Sequence, residues 1–335
     1  MKKVTVWFNH WFSTAYHIIN LMKDDEKLDV YVIGSSRNPD SVIQLVCDEW
    51  YTEPTEMNDS DYLEFCLDFC LKHDINVFAP HRGMDIIGKF ADKFDNIGVK
   101  LLLDTDYNVT GILKDKISTY KYLSDITREC IPTYYEVGNS EAFKAAYEKI
   151  IAGYENACFK FTDDEGATSF RLIDNSVPKN MRRASGLKIS YDFALKLLSS
   201  YDFHHHFIVM PYLRDVEVSV DCLNTAQGNI IIPRYKSNGR IYTIKYDKEI
   251  MSYAERILEY TGLRMPCNIQ FKYNNGKPYL LEINTRMSGG VQLSCVGAGV
   301  NIPNLALNKL LGINKEWSMD YEPKKVSYIE SPVKL

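Results

Sequence analysis

At 335 residues the chain is long enough for two or three packed units, and 45% hydrophobic with 25% charged residues is the make-up of an ordinary soluble globular protein. A net charge of −5 without a long basic block speaks against nucleic acid as the main partner. No apolar run reaches the ~18 residues of a membrane span, and the N-terminus lacks a signal-peptide pattern. The eight cysteines include no Cys-x-x-Cys pair, which suits reduced thiols and a cytoplasmic location.

Taken in order, strands are expected at 4–8, 28–33, 75–79 and 99–103, alternating with helices at 14–22, 59–73 and 84–94. The first helix is capped by Ser13 or Thr14. Strand–helix alternation implies a parallel sheet with helices on its faces. No Gly-x-Gly-x-x-Gly follows the first strand, which argues against a dinucleotide site. Ligands of open parallel sheets favour the carboxyl ends of strands, where His10, Trp11, His81, Arg82 and Asp85 fall. Packing of His10 and Trp11 at a domain interface is an equal alternative.

The character changes near 103–106, where a domain boundary is expected. Lys114-Asp-Lys116 opens a helix, an extended segment follows at 131–137, and Ser140 caps a helix over 141–151. A strand at 157–161 carries Lys160. The loop after it, Thr162-Asp-Asp-Glu-Gly166-Ala-Thr-Ser169, leads to a hairpin partner at 170–173. Backbone N–H groups and hydroxyls of such a loop can wrap a triphosphate, with Lys160 as a point charge. Asp163, Asp164 and Glu165 would repel phosphate unless they point away or bind metal. A polar connection at 175–188 holds the basic Arg182 and Arg183. A helix at 191–200 leads to His204-His205-His206, which cannot all face one point along a strand.

Near the end, 267–284 reads as two strands around a tight turn. Leu280, Glu282 and Asn284 share one face, with Arg286 on the same parity, and Tyr279, Leu281 and Ile283 share the other. A two-residue Asn-Gly loop would set Gln270 opposite Leu281, on the wrong face. A three-residue loop, Asn274-Asn275-Gly276, sets Gln270 opposite Leu280 and Asn268 opposite Glu282, so the longer loop is expected. Gln270, Glu282 and Asn284 then form an all-oxygen set suited to a hard cation such as Mg2+, beside Arg286, whose planar fork can hold an anion. A solvated hairpin face is the plainer reading. A helix at 247–260 stops at Gly262, another closes the fold at 304–311, and the residues beyond 317 look like a tail strand.

Glu282-Ile-Asn-Thr-Arg286-Met-Ser-Gly-Gly290, with Gln270 upstream, resembles the metal-binding end of the ATP-grasp superfamily. It is most similar to carbamoyl phosphate synthetase large-subunit-like ATP-grasp proteins, whose pattern reads E-hydrophobic-N-P-R-x-S-G. Thr285 stands where proline is usual. The resemblance implies Gln270, Glu282 and Asn284 as ligands of two Mg2+ (or Mn2+) ions, and Arg286 against a transferred phosphoryl or acyl-phosphate group. It puts the first phosphate-binding basic residue on Lys116 and the adenine hinge on the backbone of Met210, Tyr212 and Leu213. It puts a ribose-binding carboxylate on Glu217, by way of Glu217-Val-Ser-Val-Asp221. A basic residue toward the γ-phosphate or substrate falls on Arg234, with Lys236 and Arg240 as alternates. The family's phosphate loop is usually richer in glycine than 162–169.

The fold implied is α/β and α+β: an N-terminal parallel-sheet (pre-ATP-grasp) domain over 1–105, then a two-lobed ATP-grasp domain over 106–317, then a tail over 318–335. Its lobes divide at about 210. The implied activity is ATP- and Mg2+-dependent carboxylate–amine ligation through an acyl phosphate, on small-molecule substrates, in a chain that could form a homodimer. The alternatives are an enzyme that stops at an acyl or carbamoyl phosphate, and a non-catalytic ATP-binding module.

Overall fold

A computed structural model describes residues 1–335 except 165–167, 177–186 and 238. The chain divides into two compact units. The first holds Met1–Gly111, Val218–Gln270 and Ile283–Leu335, and the second Ile112–Glu217 and Phe271–Glu282. Among the described residues no helix is long and apolar enough to cross a membrane.

In the first unit Val4, Val6 and Phe8 point to one side of strand Lys2–Asn9 and Trp7 to the other, as period-two alternation requires. That strand lies in a parallel sheet, in the order Glu49–Thr52, Leu28–Ser36, Lys2–Asn9, Val77–Ala79, Lys100–Leu101. On one face Trp7 stacks against Phe78 at 4.0 Å and Phe69 at 4.3 Å. The other face shares a core with helices Ala15–Lys23, Val291–Ala298 and Ile302–Leu310, and with Leu223, Ile230 and Ile232 of a second sheet. That sheet runs Lys277–Asn284, Cys267–Asn274, Glu217–Thr225, Gly228–Lys236, Tyr242–Ile244, Lys324–Val326. Buried Asp104 accepts from the Arg264 and Met265 N–H groups at 2.8 and 3.0 Å, fixing the chain where the first sheet ends.

The second unit is built on a sheet in the order Tyr135–Val137, Phe207–Pro211, Ala157–Phe161, Arg171–Ile173, Lys188–Ile189. The first four strands pair antiparallel, and the expected hairpin partner of 157–161 is the strand Arg171–Ile173. Helices Ser140–Ile151 and Tyr191–Ser199 cover one face through Phe143, Tyr147, Ala194 and Leu198.

Several local expectations are corrected. Strand Glu49–Thr52 was not expected, because its apolar run is short and broken by charge. The helix expected over 84–94 is two helices, Met84–Lys89 and Ala91–Asn96, parted where Phe90 leaves helical geometry. The helix expected from 141 starts at Ser140 and is capped by Asn139, whose side chain accepts from Ala142 N–H at 2.8 Å.

The loop between the last two long strands is Asn275-Gly276 alone, with φ of 53° and 76°, not the three-residue loop expected. Two left-handed residues in succession make a type I′ turn, whose twist matches that of the flanking strands. Leu280 is 0% and Ile283 4% exposed; three positions apart, they lie on opposite faces of the strand, which is therefore covered on both. Gly276→Ala places a Cβ at positive φ and is expected to lower unfolding stability by about 1–2 kcal/mol in denaturant titration. No change would contradict the turn.

Candidate functional site

The second unit buries two lysines. Lys160 lies on the central strand opposite Ile208 and is 8% exposed; Lys116 is the first residue of helix Lys116–Thr127 and is 3% exposed. The helix is capped by Asp115, which accepts from Ser118 N–H at 2.7 Å. Lys116 is therefore no surface lysine. Its ammonium donates to the Asp164 carbonyl at 2.7 Å and carboxylate at 3.2 Å, and lies 3.5 Å from the Glu282 carboxylate. Burial, and next the Lys116 charge, hold the Lys160 ammonium below the usual lysine range.

The acidic loop divides its charges. Asp163 turns toward His205, 3.4 Å away. Asp164 faces inward, where its second oxygen accepts from Ser169 N–H at 3.0 Å and Oγ at 2.6 Å. Ser169, expected to meet phosphate, is engaged inside the loop, and its Oγ also accepts from Phe161 N–H at 2.7 Å. Gly166 lies outside the described residues, as do Arg182 and Arg183. The three histidines go to three different carboxylates: His204 to Asp202, His205 to Asp163 and His206 to Glu136.

Beside the lysines is an apolar cluster of Cys158, Met210 and Leu213, packed by Tyr212, Tyr279 and Leu281. Fully buried Tyr120 donates to the Leu281 carbonyl at 2.9 Å and steadies one wall. Of the hinge donors, Tyr212 N–H is taken by the Asn156 carbonyl at 2.9 Å. Among the described residues the Leu213 N–H has no partner, and neither has the Glu217 carboxylate. Apolar side chains beside an unused backbone donor suit a flat ring with a polar edge.

The first unit carries the remaining candidates. Arg234 is 6% exposed; its Nε donates to Ser294 at 3.2 Å and its Nη2 to Ser288 at 3.3 Å and Asp221 at 3.4 Å. The guanidinium lies against Gly290, where a Cβ would come within 2.5 Å of Nη2. Arg286 sits over the Phe12 ring at 5.4 Å and donates to the Met287 carbonyl at 3.2 Å. Gln270 donates through Nε2 to Asn268 at 3.2 Å, and its Oε1 has no partner among the described residues. The Gln270 oxygen left over in this way and the Asn284 amide, both in the first unit, are oxygen donors of the kind a hard cation takes.

The N-terminal candidates are tied into a buried network. Glu53, 2% exposed, accepts from Ser35, Tyr62 and Arg82, and Arg82 also stacks 4.0 Å over the Tyr62 ring. Arg82 is thus a structural counter-charge. His10, at φ 45°, contacts Ser36 at 2.9 Å and Arg37, and burial with the Arg37 charge lowers its pKa. The His81 ring packs on Trp11 and Phe12, and Trp11 is itself core. Lys236 is exposed, and Arg240 is spent on Glu330 at 2.8 Å. Asp164, Asp221 and Ser294 were given no site role by sequence; the even spacing of Glu217, Ser219 and Asp221 was the available signal for Asp221.

Residues 203–332 match a family model described as ATP-grasp in the biosynthetic pathway with Ter operon. The chain is 22% identical over 326 residues to the carbamoyl phosphate synthase large chain of Sulfolobus acidocaldarius, covering 90% of this chain and 28% of that one. It therefore spans little more than a quarter of that relative's length. Among solved structures it resembles N5-carboxyaminoimidazole synthetase from Staphylococcus aureus complexed with ADP, with TM-score 0.73, 13% identity, and coverage of 98% of this chain and 83% of that one. It also resembles the biotin carboxylase domain of Hydrogenobacter thermophilus 2-oxoglutarate carboxylase, in complex with MgADP, ADP and bicarbonate. There the TM-score is 0.67 and the identity 16%, with 94% of this chain and 71% of that one covered. These likenesses show that the chain shares the fold of those two solved structures and that its residues 203–332 are similar to an ATP-grasp family model.

Proposed function

We propose that the chain is an ATP- and Mg2+-dependent ligase that joins a small carboxylate to an amine and releases ADP and phosphate. The observation that carries this reading is the pair of buried lysines beside an apolar cluster with an unused Leu213 N–H. Two positive charges out of water call for a polyanion, and the apolar cluster next to them would pack against its base. Bound ADP and MgADP in the two solved relatives support the same assignment.

In this reading Lys116 and Lys160 hold the phosphates, and Met210, Tyr212 and Leu213 enclose the adenine, with Leu213 N–H as a donor to its edge. Glu217 accepts from the ribose hydroxyls. Gln270, Glu282 and Asn284 hold Mg2+, which when bound offsets charge on the phosphate oxygens. A substrate carboxylate oxygen attacks the γ-phosphorus, and the bond to ADP breaks with its electron pair leaving on ADP. Arg286 and Arg234 neutralise the acyl phosphate. The amine nitrogen then attacks the acyl carbon, phosphate departs and the nitrogen loses a proton. Asp164 on Lys116 favours a second reading, an ATP-binding module without turnover, in which Glu282→Gln changes ATP affinity but there is no activity to lose.

The deciding measurement is ADP release by the purified chain with Mg2+ across panels of small acids and amines. Release that needs both together supports ligation, release with the acid alone indicates an acyl-phosphate-forming enzyme, and failure to bind ATP with Mg2+ overturns both. Asp164→Asn removes the charge that competes with phosphate for Lys116, so ATP is expected to bind several-fold more tightly by calorimetry. Weaker binding would mean that Asp164 organises the site instead. Affinity for ATP is expected to be full while Lys160 is protonated, and to fall as pH rises through its lowered pKa. Lys160→Arg, whose charge does not titrate there, should move that fall to higher pH.

A further inference from the structure

A buried chain of hydrogen-bond donors in the first unit ends on Gln270. It starts at Asp221, 1% exposed, whose carboxylate only accepts. One oxygen takes Ser288 Oγ at 2.6 Å and Asn268 Nδ2 at 2.8 Å; the other takes Ser294 Oγ at 2.6 Å and Arg234 Nη2 at 3.4 Å. Asn268 is 0% exposed, so it cannot turn to water for other partners. Its NH2 must face the carboxylate, and its Oδ1 then faces Gln270, which donates Nε2 to it at 3.2 Å. The Ser219 hydroxyl lies 3.2 Å from Nδ2 and 3.3 Å from Oδ1 of Asn268 and, as donor or acceptor, serves either orientation. The polarity of the chain is therefore set at Asp221 alone.

We propose that Asp221 is a positioning residue which, through Asn268, turns the Gln270 amide so that it offers oxygen, and not NH2, to a divalent cation. A glutamine head has two ends of nearly equal shape and opposite polarity, and only one of them binds metal. With Gln270 Nε2 spent on Asn268, Oε1 is the end left over. Reversing the glutamine would set its oxygen against the oxygen of Asn268. Reversing both amides would set the Asn268 oxygen against the Asp221 carboxylate, a buried contact between two acceptors. The same carboxylate holds Ser288 and Arg234, so one buried anion registers the amide and the guanidinium of Arg234. Outer partners of this kind govern the affinity of a metal site. The proposal rests on the Mg2+ reading of Gln270 given above.

The test is calorimetric titration of ADP into the full chain with and without Mn2+, scored as the factor by which the metal tightens binding. Asp221→Asn is expected to lower that factor about 10- to 100-fold and to leave metal-free affinity unchanged. Asn268→Leu, which keeps Asp221 on Arg234, should do the same. In a Gln270→Glu background both head atoms are oxygens, so Asp221→Asn should cost nothing further. An equal loss in both backgrounds, or no loss in either single variant, overturns the relay while leaving the ligase reading intact. A wild-type chain that binds ADP with no enhancement by metal overturns the Mg2+ reading and the relay with it.

Discussion

A lysine taken out of water must be met by oxygen atoms, and the second unit has two to satisfy within one small volume. Lys160 arrives from the middle of a sheet and Lys116 from the first turn of a helix, where the helix end adds further positive potential. Carbonyls of Thr162 and Asp164 and the carboxylates of Asp164 and Glu282 answer the Lys116 charge. The residual cost shows in Lys160, whose ammonium is held below its ordinary range by burial and by its neighbour. Few soluble ligands would relieve such a pair as well as a chain of phosphates.

The first unit sets the opposite problem, a carboxylate almost without exposure. Asp221 gathers donors from Arg234, Asn268, Ser288 and Ser294, which lie on four different segments. Removing one partner of a buried ion pair strands the other, so Asp221 and Arg234 hold each other in place. The result is a fixed arrangement, and Gly290 is part of it because no side chain fits against the guanidinium. Glu53 with Arg82 solves a similar problem at the strand ends of the parallel sheet. That is why Arg82, which looked like a ligand for an anion, is an internal counter-charge.

The acidic loop shows how a sequence departure can be absorbed. Three consecutive acids in place of a glycine-rich stretch look hostile to phosphate. In the fold Asp163 leaves toward His205, and Asp164 becomes the partner of Lys116 and Ser169. The loop thus supplies the Lys116 ammonium with an anion of its own.

Much of the layout could be read from residues alone. Short, largely apolar runs marked the strands 4–8 and 157–161, Asp247 and Gly262 marked the ends of the helix Lys248–Thr261, and the order of polar residues from Lys116 to Arg286 resembled ATP-grasp. These signals are local or simply ordered, and so survive in one dimension. Tertiary structure alone decided the rest. The burial of both Leu280 and Ile283, on opposite faces of one strand, depends on what covers it, and the turn Asn275-Gly276 kept its own preferred geometry. The burial of Lys116, the inward turn of Asp164 and the convergence on Asp221 join segments far apart in the chain. A side chain's partners, unlike its periodicity, are set by whichever distant oxygen or nitrogen the fold brings within hydrogen-bonding reach.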